Sequence, residues 1–138
     1  MPLDQGKTKQ LIDYWTQGSA EDLKNAFEII NQTSRYASGL FFLHLCLEKA
    51  LKALYVQKKS EHAPFTHNLL GLLEKTEFKL PDADVQILSE INEFNLEARY
   101  PDDKFSLYQR ATKEVARHYL TECQRLQSWI LKTLNKSP

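Results

Sequence analysis

The stretch from Arg35 to Gln57 constrains this chain more than any other. Between Leu40 and Val56 only His44, Glu48, Lys49 and Lys52 interrupt an apolar run. The run holds no proline and is dominated by Leu and Ala, which makes it a helix rather than a strand. A helix that is apolar around most of its circumference must be buried on most sides. It is too short, and too often broken by charge, to be a membrane span. His44, Glu48 and Lys52 fall at i, i+4 and i+8 and form one polar stripe along an otherwise greasy rod. What that stripe faces is the functional question.

The stripe has two readings of equal weight. On an exposed edge, Glu48 and Lys52 form an i,i+4 pair worth roughly 0.2–0.5 kcal/mol. Lining a cleft or a dimer seam, a buried Glu48 needs a cation, either Lys52 or Arg99 from elsewhere.

The rest of the chain reads as helices around this rod. Leu11, Tyr14 and Trp15 give a short amphipathic segment over residues 8–17. Gly18 weakens it, and Ser19 reads as a new N-cap before a face of Leu23, Ala26, Phe27 and Ile30, in a helix either separate from or continuous with the Tyr14-Trp15 turn. Thr33-Ser34 is a tight connection into the central helix, so these two elements form an antiparallel hairpin. After a loop with Pro64, Thr66 is placed to cap a third helix carrying Leu69, Leu70, Leu72 and Leu73. Asp82 starts a fourth, with Ile87, Leu88, Ile91, Phe94 and Ala98 on one side, and Tyr100-Pro101 ends it. Ser106 and Gln109 match a capping box for a last helix reaching about Leu134, with Leu107, Ala111, Val115, Tyr119, Cys123, Leu126 and Ile130 as its seam. No strand-like alternation, internal repeat or glycine-rich break competes with this. The expectation is an all-α, up-and-down antiparallel bundle of about five helices, in one domain over residues 1–138 with its core at about 8–134.

Eighteen Lys and Arg balance eighteen Asp and Glu, which argues against wholesale electrostatic binding to nucleic acid or an anionic membrane. Cys46 and Cys123 lie in apolar patterns and read as buried thiols. Without an apolar signal core at the start or a span elsewhere, the expected setting is a reducing cytoplasm, away from membranes.

Little in the chain looks like conventional catalytic machinery. His44, His62, His67 and His118 fall in four separate settings, and none forms a His-x-x-x-His or Glu-x-x-His pair, so no metal site is expected. Both cysteines sit where a thiol is inert. With four glycines in all, there is no phosphate-cradling loop and no Gly-x-Ser-x-Gly elbow. Arg99-Tyr100-Pro101 offers a planar five-donor fork beside a stacking ring, suited to phosphate and base or to a partner carboxylate, and equally to tying helix four to the central helix. Arg110, Lys113 and Arg117 make a basic row on the last helix, but Glu114 and Glu122 interleave with it, and it reads as a solvated face.

In order and spacing these pieces resemble the HEPN family, the higher eukaryote and prokaryote nucleotide-binding domains. The resemblance is carried by Tyr14-Trp15, Ala20-x-Asp22-Leu23-Lys24-x-Ala26, Tyr36-Ala37, Leu47-Glu48-Lys49-Ala50-Leu51-Lys52-Ala53-Leu54, Thr66-His67-Asn68-Leu69 and Ala98-Arg99-Tyr100-Pro101. It implies a helical bundle, a homodimer, and a minimal nucleotidyltransferase as partner in a toxin–antitoxin-like pair. It also implies nucleotide or RNA as ligand. Many HEPN members are metal-independent ribonucleases whose motif is an Arg followed, after a short gap, by a His near the start of the last helix. Here Arg99 is followed by Tyr100-Pro101-Asp102-Asp103-Lys104-Phe105-Ser106-Leu107, with no histidine, and seven residues separate Arg110 from His118. That chemistry needs a proton carrier at the scissile phosphate. The expected function is therefore a non-catalytic binding module without cofactor, binding a nucleotide or a nucleotidyltransferase. Its binding residues would be His44, Glu48, Lys49, Lys52, His67, Arg99 and Tyr100. The alternative is a ribonuclease pairing Arg99 with a histidine supplied from elsewhere, His44 or His67.

Overall fold

The computed structural model describes residues 2–95 and 100–136. Among them are six helices: α1 Gln5–Gln32, α2 Tyr36–Lys59, α3 Leu69–Thr76, α4 Asp82–Asn92, α5 Pro101–Arg110 and α6 Lys113–Lys136. The central rod is α2, which packs on α1 and α6 over its length and touches α3, α4 and α5 as well. Its Leu40, Leu43, Leu47, Leu51 and Leu54 are fully buried, as its composition requires.

Pairs between α1 and α2 run in opposite order along the two helices, from Gly39 against Ile30 to Ser19 bonded to the Cys46 carbonyl and Leu3 bonded to that of Ser60. The hairpin is antiparallel, as Thr33-Ser34 suggested. Between α2 and α6 the order is the same on both, Leu43 with Cys123 and Gln57 with Leu134, so these two helices run the same way. The α3 helix also follows the sense of α2, with His67 near His44 and Glu77 near Lys59. The connection over residues 60–68 must then travel back along α2. From Lys59 to Glu48 is about 16 Å at a helical rise of about 1.5 Å per residue, which a short extended stretch spans easily. That return sets up the site described below.

Four local expectations are corrected. Ser19 is no N-cap: α1 passes through Gly18 and Ser19 without a break, capped instead by Asp4, whose carboxylate accepts from the Lys7 amide at 2.7 Å. Ser19 is buried, and its hydroxyl bonds the Cys46 carbonyl at 2.8 Å, so a residue that looked like a start signal serves as an interhelical tie. The cap of α3 is Asn68, accepting from the amides of Leu70 and Gly71, while Thr66 accepts from the Asn68 amide. Helix α4 stops at Asn92, and Ala98 lies outside the described residues.

The fourth correction splits the last helix in two, giving six rather than about five. Pro101 opens α5 at a position where its missing N–H costs nothing, with Asp102 and Asp103 facing the positive end of the helix, so Ser106 lies inside α5 rather than capping it. The chain breaks at Ala111-Thr112, and the Thr112 hydroxyl accepts from the Val115 amide at 3.2 Å to start α6. The α6 seam is led by Ala116, Leu120, Cys123, Leu126 and Ile130, with Val115 and Tyr119 at its margin.

Among the described residues no helix is long and apolar enough to cross a membrane.

Candidate functional site

Three consecutive turns of α2 aim His44, Glu48 and Lys52 the same way. All three are buried, so the stripe does not lie on an open edge. The returning loop supplies the fourth member. Glu48 accepts from Lys52 at 3.0 Å through one carboxylate oxygen and from His67 Nδ1 at 2.8 Å through the other. Its side chain is 5% exposed and that of Lys52 7%, so each charge is compensated where water is excluded. Trp15 of α1 covers the ammonium, its ring centroid 5.1 Å from Lys52 Nζ.

His44 holds the loop. Its Nε2 lies 2.9 Å from the His67 carbonyl, and because a carbonyl only accepts, Nε2 carries the proton. The Nδ1 atom is then a buried acceptor without a hydrogen-bond partner, 3.9 Å from Glu48. Burial lowers the His44 pKa from its ordinary value and outweighs the opposing pull of the Glu48 carboxylate. His44 is thus a neutral strut. The loop is fixed further by Asn92, which accepts from the Leu69 amide at 2.8 Å and donates to Asn68 at 3.3 Å.

His67 is the member that reaches the surface. Its side chain is 46% exposed, in contrast to its buried neighbours. With Nδ1 tied to Glu48, the ring is fixed and Nε2 is left over, an acceptor when the imidazole is neutral and a donor when it is protonated. Beside it Phe65 is 99% exposed, with ring centroids 6.3 Å apart. An oriented imidazole and an open aromatic face suit the phosphate and base of a nucleotide. A carboxylate that fixes an imidazole through Nδ1 is also how hydrolases aim a general base.

Lys49 turns away to α1, where its ammonium stands 2.7 Å from the nearly buried Asp22 carboxylate. Tyr100 is exposed at the N-terminus of α5 in extended backbone. Arg99 lies outside the described residues. The structure therefore brings His44, Glu48, Lys52 and His67 together, and separates Lys49 from them. Among the described residues no three His, Cys, Asp or Glu side chains converge as a metal would require.

Sequence reasoning missed Trp15, Asp22 and Phe65. Trp15 and Asp22 read as parts of an amphipathic helix, and only the α1–α2 crossing sets them against Lys52 and Lys49. Phe65, between Pro64 and Thr66 in a segment with no periodicity, was a signal that could have been used.

The sequence matches the family described as HEPN domain over residues 12–134. Among solved structures, TT1696 from Thermus thermophilus shares this fold with a TM-score of 0.74 at 20% identity, over 88% of this chain and 96% of that one. No curated protein matches.

Proposed function

Because the chain belongs to the HEPN domain family, we propose that it is a non-catalytic binding module for a nucleotide or for a nucleotidyltransferase partner. The observation that carries this reading is the half-exposed His67, clamped through Nδ1 by a carboxylate that Lys52 also neutralises. Glu48 orients, Lys52 balances the charge, and His67 meets phosphate. Phe65, exposed beside His67, and Tyr100, entering from its place in sequence next to Arg99, would offer rings for a base. Arg99 enters the proposal from its place in sequence as a second phosphate donor. The wider proposal is a homodimer acting with a minimal nucleotidyltransferase as a toxin–antitoxin-like pair.

The test is a calorimetric titration of the chain with ATP and other nucleotides, alone and with a co-expressed nucleotidyltransferase. Saturable binding that falls at least about tenfold in His67→Ala is expected. No binding in either arm, with His67→Ala folding normally, would overturn it.

One observation favours a second reading. The Glu48–His67 pair has the geometry of an oriented proton carrier, which a ribonuclease would need in place of the missing motif histidine. Cleavage of RNA in the presence of EDTA, lost in both His67→Ala and Arg99→Ala, would move the chain into the enzyme class. Intact RNA after prolonged incubation would remove that reading.

A further inference from the structure

Beside Leu40, one turn before His44 on α2, the helices α4, α5 and α6 meet around a cavity of about 340 Å³, within the size range of small-molecule pockets (roughly 300–1,000 Å³). Its apolar lining is Leu40, Phe94, Leu107, Ala111 and Val115, with Leu40, Phe94 and Leu107 buried. Phe94 and Tyr119 meet edge to face with centroids 5.1 Å apart and stiffen one side.

The polar rim carries both signs of charge. Glu90 and Glu93 line it, and so does Arg110 from the last turn of α5. Glu90 is fixed, accepting from the Tyr119 hydroxyl at 2.6 Å and from Gln86 at 3.1 Å. Those donors hold its carboxyl below the usual range, while burial and Glu90 push the Tyr119 phenol up to about 12. A carboxylate offers about four lone-pair positions, so Glu90 keeps capacity for a further donor. The Arg110 guanidinium forms no hydrogen bond or ion pair among the described residues.

We propose that this cavity binds a small zwitterion with an apolar body, of the chemical class of a free α-amino acid with an aromatic or branched side chain. The ligand carboxylate meets the Arg110 fork. Its ammonium meets Glu90 and Glu93, and its side chain fills the space against Phe94, Leu107 and Val115. A singly charged ligand satisfies one side of the rim and leaves the other facing a like charge or nothing. The inference stands independently of the nucleotide reading, because it shares no residue with the His67 site.

Titration of the full chain with L-phenylalanine, 3-phenylpropionate and phenethylamine tests it. Saturable binding of L-phenylalanine is expected, at least about tenfold tighter than either singly charged analogue. Arg110→Met, an exposed position whose change leaves the core alone, should bring L-phenylalanine down to the level of phenethylamine. Val115→Trp should fill the cavity and abolish binding, with circular dichroism confirming an unchanged helical fold. L-phenylalanine binding no tighter than its analogues, no saturation at tens of millimolar ligand, or full affinity in Arg110→Met would each overturn the proposal.

Discussion

Lys52 stands 3.0 Å from Glu48 one turn earlier on the same helix, and both side chains are nearly closed to water. In that setting an i,i+4 pair ceases to be a surface ornament. Attraction between the two charges offsets two desolvation costs, and removing one partner strands the other. Glu48→Gln should therefore destabilise the fold by about 3–5 kcal/mol, while the double variant Glu48→Gln/Lys52→Met recovers a large part of the loss. Urea unfolding of the two single variants and the double variant measures this. Additive losses would mean that the two charges act independently.

The pH response of the same cluster follows from His44. Its folded-state pKa lies below the ordinary 6.5 because burial disfavours the charged ring. The folded chain thus takes up this proton less readily than the unfolded chain. The stability it contributes is complete above about pH 6.5 and is lost as pH falls through the lowered folded value. His67 and Glu48 also face this position, so the comparison is with a variant rather than across pH alone. Between pH 7.5 and 5.5 the urea midpoint of the natural chain should drop more than that of His44→Gln. Equal drops would assign the acid sensitivity to other groups.

Gly39 of α2 packs its backbone directly against Ile30 of α1. A Cβ there would collide with Cγ1 of the buried Ile30. A β-branched neighbour in a fully packed core has no rotamer in which to retreat. Gly39→Ala gains helix propensity, yet it should cost about 1–3 kcal/mol net through overpacking. A melting temperature equal to or above that of the natural chain would show that the two helices can part freely.

Cys46 and Cys123 are wholly buried free thiols, and burial raises the Cys123 pKa well above its ordinary value. Reactivity follows the thiolate. Under native conditions both should resist an aromatic disulfide reagent and react within seconds in denaturant. Rapid labelling of the native chain would reveal an opening between α2 and α6.

The helices were legible because their cause is local. Leucine and alanine without proline make Leu40 to Val56 helical wherever it sits, and its apolar circumference demands neighbours on nearly all sides. The i, i+4, i+8 spacing of His44, Glu48 and Lys52 placed them on one face before any coordinates. The joint at Ala111-Thr112 was not legible, because a break with neither glycine nor proline leaves no mark on hydrophobic periodicity.

The site itself was decided by long-range geometry. Only the return of residues 60–68 along α2 brings His67 to Glu48, and only the crossing with α1 gives Lys49 to Asp22 and Trp15 to Lys52. Sequence determined which charges would need compensation in a dry interior. The tertiary structure decided which partner compensates each one, because burial makes a lone charge costly everywhere while only the folded chain sets which groups come within hydrogen-bond reach.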